Sequence, residues 1–565
     1  MINYPWLPAL LLALTISGCG RGTNKSQIAA PVDTPNILLI VVDDMGFTDL
    51  GSFGSEIATP TLDSLANNGI RFTNFQVAPT CSPTRAMLLT GTDNHTAGLG
   101  NMDEELSPNQ KGQPGYEGYL NNRVVTVASL LRDSGYQTYM LGKWHLGKTE
   151  DQSPAARGFV RSFAMLSGGA SHFGDMKPAY APSPTSKAPY RQNGKKLEQL
   201  PANFHYSSQF YVDELIHYLE ADKDTNKPFF AYLAYTAPHV PLQAPNEAIA
   251  KYKGKYDGGY DKLLAQRFNK QKELGLLSET AQVSERPPKT SPWEDLSAEE
   301  QKIQTRQMEI YAAMIDEIDV HTGRLVDYLK SHGLFDNTLI VFMSDNGAEG
   351  HDLDETWPGD KFPAIRKVID ETHDFSYENM GKERSYVFQG EGWAWASQPA
   401  LRLFKGFTSE GGTRVAAFAH FPKQFPSKQI NHELISIKDI APTILELAGT
   451  KHPGTSYQGR PVAPILGVSM LSSWRGGMLT QEMKDRVIGM ELMGKRSIRK
   501  GDWKLIHMPS PYGSDDWQLY NLATDLREAN DLAASHPDTL QEMINYWDEY
   551  ASAHQVIIPD WLSGY

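Results

Sequence analysis

Cysteine is nearly absent from this 565-residue chain, which has two, Cys19 and Cys81. If the amino-terminal segment is processed as described below, neither is available for an intrachain disulfide. Positive charge is also scarce, since 53 Lys and Arg stand against 67 Asp and Glu, for a formal net charge of -14. That balance argues against nucleic acid or an anionic membrane as the main partner, so any basic patch is local. Long apolar runs are missing too. The one run of note, Leu7 to Ile16, is too short to span a bilayer comfortably, and no internal repeat follows it. What remains is a length that can bury a large core with a smaller unit attached.

Leu7 to Ile16 has the length of a signal-peptide core, and Ile16-Ser17-Gly18-Cys19 after it resembles a bacterial lipoprotein box. The preceding residues lack Lys and Arg, which departs from the usual pattern. The resemblance implies a signal peptide over 1–18, lipidation of Cys19, and a small, polar tether over 19–35. The chain is then exported to the periplasm or outer membrane and touches a membrane only through that lipid. A cleaved signal without lipid would still give export.

Ile37 to Val42 is a continuous β-branched run that predicts a strand covered on both faces, and it ends at Asp43-Asp44. Adjacent carboxylates there are unfavourable unless they bind a cation, although a charged pair in a loop is commonplace. Tyr136 to Leu141 predicts a strand leading to Lys143 and His145, Phe229 to Tyr235 one leading to His239, and Thr338 to Met343 one leading to Asp345 and Asn346. Strands alternating with helices imply a mostly parallel sheet, whose ligands gather beyond the carboxyl ends of the strands. One site with three carboxylates, an amide and two histidines is therefore expected. Asp43, Asp44, Asp345 and Asn346 offer hard oxygen ligands, suited to Ca²⁺ or Mg²⁺ and not to zinc or copper.

Elsewhere, residues 246–296 are polar and read as a surface excursion. Ser297 to Glu300 is a capping box opening a long helix to Ser331, with Asp316 and Asp319 on a solvated face. Residues 351–398, irregular and rich in aromatics such as Tyr386, Trp393 and Trp395, read as a functional loop or lid, and with His172 are candidates for a substrate pocket. Lys405 is a candidate cation for the site.

Within Cys81-Ser82-Pro83-Thr84-Arg85, Pro83 suits the first turn of a helix, so Ser82 reads as its N-cap and Cys81 lies at its N-terminus. The helix dipole and Arg85 favour an anion there, and an easily ionised thiol is expected. These five residues resemble the maturation signal of the sulfatases, in which that cysteine is oxidised to Cα-formylglycine. The segment Gly142-Lys143-Trp144-His145-Leu146-Gly147 resembles a second sulfatase signature. Leu519 to Leu522, with Asp525 and Asn530 to Leu532, resembles the family's smaller carboxy-terminal domain, so the resemblance runs from about Asn36 to about Ala534.

The resemblance implies an alkaline-phosphatase-like α/β fold, with a mixed, mostly parallel sheet flanked by helices over 36–470 and a smaller α+β domain over 471–565. It implies a small-molecule sulfate ester as substrate, a formylglycine-generating maturation enzyme as partner, and one Ca²⁺, in preference to Mg²⁺, on Asp43, Asp44, Asp345, Asn346 and the modified Cys81. One hydroxyl of the hydrated aldehyde, its acidity raised by the metal and Asp345, attacks sulfur and forms a covalent sulfate ester. His239 protonates the leaving oxygen, and His145 takes the proton from the other hydroxyl so that sulfate departs. Arg85, Lys143 and Lys405 hold the sulfate oxygens. The long insertion resembles those of bacterial arylsulfatases, which favours an aryl ester.

Two rival readings stand beside this one. The first is a phosphonate or phosphate-diester hydrolase on the same fold, and the second a non-catalytic envelope lipoprotein. A thiolate phosphatase is disfavoured because Cys81 and Arg85 are too close for its phosphate-cradling loop.

Overall fold

A computed structural model describes residues 34–560 apart from Pro182. The signal peptide over 1–18, Cys19 and nearly all of the 19–35 tether lie outside the described residues. No helix among the described residues is long and apolar enough to cross a membrane.

The chain builds an 11-stranded sheet from β1 (Asn36–Val42), β2 (Ile70–Gln76), β3 (Gln137–Lys143), β4 (Arg161–Met165), β5 (Tyr190–Gln192), β6 (Lys195–Leu197), β7 (Phe229–Ala234), β8 (Thr338–Ser344), β9 (Arg414–His420), β10 (Gln429–Asn431) and β11 (Ile435–Ser436). Their order is β10-β2-β9-β8-β1-β7-β3-β4-β5-β6, with β11 also against β2. Strands β8, β1, β7, β3 and β4 run parallel to one another, and β9 is antiparallel to both its neighbours.

All seven residues of β1 are buried. Side chains alternate across a strand, so Leu38, Ile40 and Val42 enter one core and Ile37, Leu39 and Val41 the core on the opposite face. The first core takes in the helices Ser207–Ala221 and Ala298–Ser331. The second takes in Cys81–Thr90, Val127–Asp133 and Ile440–Leu447. This double covering explains the unbroken apolar runs in the central strands.

A two-stranded ribbon, β12 (Ser456–Tyr457) with β13 (Arg460–Pro461), precedes a separate antiparallel sheet of β14 (Val487–Leu492), β15 (Lys495–Lys500), β16 (Trp503–His507) and β17 (Trp517–Asn521). The closing helix Pro537–His554 covers that sheet with Met543, Trp547 and Tyr550.

Three local expectations need correction. Residues 246–296 are not merely a surface excursion, because they contain the helix Gly259–Glu273, which buries Tyr260, Leu263, Leu264, Arg267 and Phe268. Asp316 and Asp319 are not solvated. Asp319 accepts the Thr61 and Leu62 amides at 3.2 and 2.7 Å, at the first turn of the helix Pro60–Asn67, and Asp316 takes Lys251 and Tyr252. Thr80, not Ser82, is the N-cap of the Cys81 helix, which begins at Cys81 itself. The capping box at Ser297 forms as its pattern predicts.

Candidate active site

The carboxyl ends of β8, β1, β7 and β3 lie side by side, and each delivers polar groups to one place. β8 leads into Asp345 and Asn346, β1 into Asp43 and Asp44, β7 into His239, and β3 ends in Lys143 with His145 beyond it. Asp44 and His145 hold left-handed backbone at φ 70° and 54°, a sparsely used conformation that the packing around the site imposes. The Cys81 helix supplies Cys81 and Arg85, and the loop before β9 supplies Lys405. All of these side chains are buried.

Ion pairs lock the cluster. Lys143 Nζ lies 2.7 Å from Asp43 Oδ2, Arg85 Nη2 lies 2.7 Å from Asp345 Oδ2, and Lys405 Nζ lies 2.9 Å from Asp44 Oδ2. Arg85 also donates to the Lys143 carbonyl at 2.9 Å, and Cys81 Sγ is 3.8 Å from Asp44 Oδ1. His239 Nε2 is 3.6 Å from Asp44 Oδ2, while its Nδ1 faces the Val240 carbonyl at 2.6 Å. The catalytic and metal-ligand residues expected on sequence grounds are therefore brought together. His172 sits behind it, 3.0 Å from the His239 carbonyl and 3.0 Å from Ser207 Oγ.

The donor set fits a hard divalent cation. Ligand atoms of Asp43, Asp44, Cys81 and His239 lie within 4.8 Å of one another. Asn346 Nδ2 is spent on Asp44 Oδ1 at 2.7 Å and the Gly347 carbonyl at 3.0 Å, whereas its buried Oδ1 has no partner among the described residues. A buried amide oxygen left bare is unfavourable unless something electropositive meets it. Asp43 and Asp44 point the same way. Burial, together with neighbouring carboxylates, lifts both above the ordinary carboxylate range despite the nearby lysines. Burial opposes ionisation of Asp345 as well, but Arg85 and Lys143 outweigh it.

Cys81 does not ionise easily, contrary to the expectation from its helix position. Burial pushes its thiol well above the ordinary value, and Lys143 and Lys405 offset this only in part. A helix terminus contributes roughly 0.3–1 kcal/mol, too little against full desolvation.

Two carboxylates at the site had no place in the sequence reading. Glu104, on the short turn Asp103–Glu105, accepts His145 Nε2 at 2.9 Å and the Tyr180 hydroxyl at 2.6 Å, both through Oε1. Glu349 bridges Lys405 Nζ at 2.8 Å and His351 Nδ1 at 2.7 Å, and the Lys405 charge with these two contacts, against the effect of burial, holds it at about 2. It follows Asp345 and Asn346 in the same strand-end loop, so the strand-end pattern contained the signal that points to it. Glu104 had none.

A narrow cavity of about 30 Å³ opens over Cys81, with Glu104, His145, His239 and Lys405 around it and Tyr180, Trp357 and Tyr386 along one side. Tyr180 and Trp357 pack with ring centroids 5.0 Å apart. Trp393 and Trp395, also in the aromatic stretch, are core residues instead.

Buried acids, lysines and an arginine around a helix-borne side chain, at the open edge of a mostly parallel sheet, define a hydrolase of anionic esters. The chain belongs to the sulfatase family, whose profile matches residues 35–450. A second profile, that of the N-sulphoglucosamine sulphohydrolase C-terminal region, matches residues 402–549. An uncharacterized sulfatase of Schizosaccharomyces pombe is 43% identical over 541 residues, covering 93% of this chain and 95% of that protein. An arylsulfatase of Klebsiella aerogenes is 37% identical over 449 residues, covering 78% of this chain and 92% of that one. Among solved structures, Ps i-CgsB in complex with a neocarrahexaose superposes with a TM-score of 0.64 at 25% identity, covering 94% of this chain and 95% of that one. The chain is thus a sulfuric ester hydrolase on the sulfatase fold.

Proposed function

We propose that the chain hydrolyses aryl sulfates to a phenol and inorganic sulfate, with Cys81 matured to formylglycine and a Ca²⁺ held by Asp43, Asp44, Asp345, Asn346 and the side chain at position 81. The observation that carries the aryl reading is the wall of Tyr180, Trp357 and Tyr386 along the cavity over Cys81, which suits a planar ring. When bound, the cation raises the acidity of a hydroxyl at position 81 and neutralises sulfate charge, and the oxidised side chain supplies that hydroxyl where the buried thiol is inert.

The chain's own residues do the rest. Asp345 accepts the proton of the attacking hydroxyl. Arg85, Lys143 and Lys405 hold the sulfate oxygens as charge moves onto them. His239 donates Nδ1–H to the Val240 carbonyl, which leaves Nε2 facing the departing oxygen, and its imidazolium form, carrying a second proton on Nε2, protonates that oxygen and returns to the neutral ring. His145, anchored through Nε2 to Glu104, has Nδ1 free to take the second hydroxyl proton that releases sulfate. In the same reading Cys19 is acylated and the chain is exported as an envelope lipoprotein.

Turnover of 4-nitrophenyl sulfate, a nitrophenyl phosphate diester and a sulfated monosaccharide, measured with matured protein, tests the reading. The aryl sulfate is expected to lead in kcat/KM. A higher kcat/KM for the sugar overturns aryl specificity, and one for the diester overturns the reaction class. Mass analysis of the Cys81 peptide is expected to show the aldehyde, and an intact thiol in active protein refutes its role.

A further inference from the structure

A second cleft, of about 290 Å³, lies where the main sheet, the segment after the helix Gly259–Glu273 and the carboxy-terminal sheet meet. Its lining combines polar groups, Arg414, Arg499, His432 and Asn74, with apolar ones, Leu276, Leu401 and Leu526. None of the groups around Cys81 lines it.

Arg414 and Arg499 are only 7% and 5% exposed. Arg414 donates through Nε to Glu410 Oε2 at 2.5 Å and through Nη1 to the Thr73 carbonyl at 2.9 Å. Arg499 donates through Nη1 to Asn74 Oδ1 at 3.0 Å and to Glu410 Oε2 at 3.3 Å, and through Nε to the Gly501 carbonyl at 3.2 Å. The Nη2 of each guanidinium has no partner among the described residues, although both side chains line the cleft. His432, exposed at the cleft, holds Nδ1 2.8 Å from Thr73 Oγ1.

The charges beneath do not balance. Lys504 Nζ lies 2.8 Å from Glu410 Oε1 and 2.9 Å from Glu528 Oε1, so three cations, Arg414, Arg499 and Lys504, meet two carboxylates. Asp502 stands at the rim, exposed to solvent. Burial pushes Arg499 down to about 10, the direction that an incoming anion reverses. Each guanidinium thus keeps one donor unused by the protein, and the pair suits the two oxygens of a carboxylate or sulfonate.

We propose that this cleft binds a small organic anion, whose acidic group is received by Arg414 and Arg499 and whose apolar body lies against Leu276, Leu401 and Leu526. The site is separate from the reaction centre, and the proposal does not depend on which ester is cleaved.

Naphthalene-1-sulfonate is a suitable probe, since its sulfur is bonded to carbon and it is not a sulfate ester. Its fluorescence polarisation is titrated against the full chain and against Leu526→Trp, which fills space beside the apolar lining, and Arg499→Gln, which removes one of the two guanidinium charges. Both variants are expected to weaken probe binding by about tenfold or more, the scale of one charge-assisted or packing contact. Neither should alter kcat or KM for 4-nitrophenyl sulfate. Because Arg499 also braces Glu410, Leu526→Trp carries the decision. An unchanged probe affinity in Leu526→Trp, or no saturable binding to the unaltered chain, overturns the proposal.

Discussion

Glu104→Gln is the perturbation that most directly tests how the site handles protons. In the native chain Glu104 Oε1 receives two donors, His145 Nε2 at 2.9 Å and the Tyr180 hydroxyl at 2.6 Å. That arrangement keeps the His145 proton on Nε2 and leaves Nδ1, buried and without a partner among the described residues, as the basic atom. The substituted amide retains an acceptor oxygen but loses the charge that stabilises the imidazolium formed when Nδ1 takes a proton. A hydrogen bond to a charged group is worth about 1.5–3 kcal/mol, so kcat should fall by roughly 10- to 100-fold at the plateau. The pH dependence has a definite sign. Burial, with Lys143 and Arg85, already holds His145 below its ordinary value, and Glu104 opposes that shift. Without Glu104 the imidazole titrates lower still, stays neutral to lower pH, and the acid limb of kcat moves to lower pH. Tyr180→Phe removes a neutral donor and should cost about tenfold or less, with little movement of the limb. Steady-state rates across the pH range, with thermal melts to show that each variant is folded, provide the measurement. An acid limb that stays in place or moves to higher pH, or a plateau kcat within about twofold of native, refutes the coupling.

Trp357→Ala should raise KM for aryl sulfates by about 2- to 10-fold and leave KM for a small alkyl sulfate nearly unchanged, as expected for the loss of one aromatic stacking partner. Asp319→Ala should lower unfolding stability by about 1–2 kcal/mol in denaturant melts, because two first-turn amides lose their acceptor, whereas Asp319→Asn keeps the acceptor and should be nearly neutral. Burial pushes Asp319 up to about 6, so its contribution is fully present below an unfolded pKa of about 4 and is lost as pH rises through about 6. Stability of Asp319→Asn should therefore lack that decline. Removing divalent cations with EDTA should abolish both turnover and calorimetric binding of inorganic sulfate, and Ca²⁺ should restore both.

The central strands and the residues at their ends were readable because a strand buried on both faces is an unbroken apolar run, and the first polar residue after it marks the sheet edge. Asp43 and Asp345 each sit at such a boundary, and His239 follows the end of β7 by a short loop. Glu104 does not. It lies in the acidic turn Asp103–Glu105, where nothing local separates it from its neighbours, and only contact with His145 from β3 distinguishes it. The helix Gly259–Glu273 was hidden by its polar composition, since its buried face includes Arg267, paired with Asp49 at 2.5 Å and Glu56 at 2.9 Å. A buried cation supplied with carboxylates reads in sequence like a solvated one. The same blindness put Asp316 and Asp319 on a solvated face. Cys81 failed for a different reason, because position on a helix is a local property and desolvation is not.

Charge gives a reason why a divalent cation at the proposed ligands would serve binding as well as chemistry. Four carboxylates, Asp43, Asp44, Asp345 and Glu349, face three side-chain cations, Arg85, Lys143 and Lys405. His145 and His239 add little positive charge, since burial and the nearby lysines push both below the ordinary histidine range. A divalent cation held by these oxygens would keep Asp43 and Asp44 ionised, against the burial and neighbouring carboxylates that lift both above the ordinary carboxylate range, and would add positive charge to the pocket that receives an anionic ester. Bound by Asp43, Asp44, Asp345 and Asn346, such a cation would compete with Lys143 and Lys405 for the carboxylate oxygens, which would leave both lysines available to sulfate oxygens. On this account metal affinity and sulfate affinity rise together, and a variant such as Asn346→Ala, which removes no charge and only one ligand oxygen, should weaken both in the same proportion.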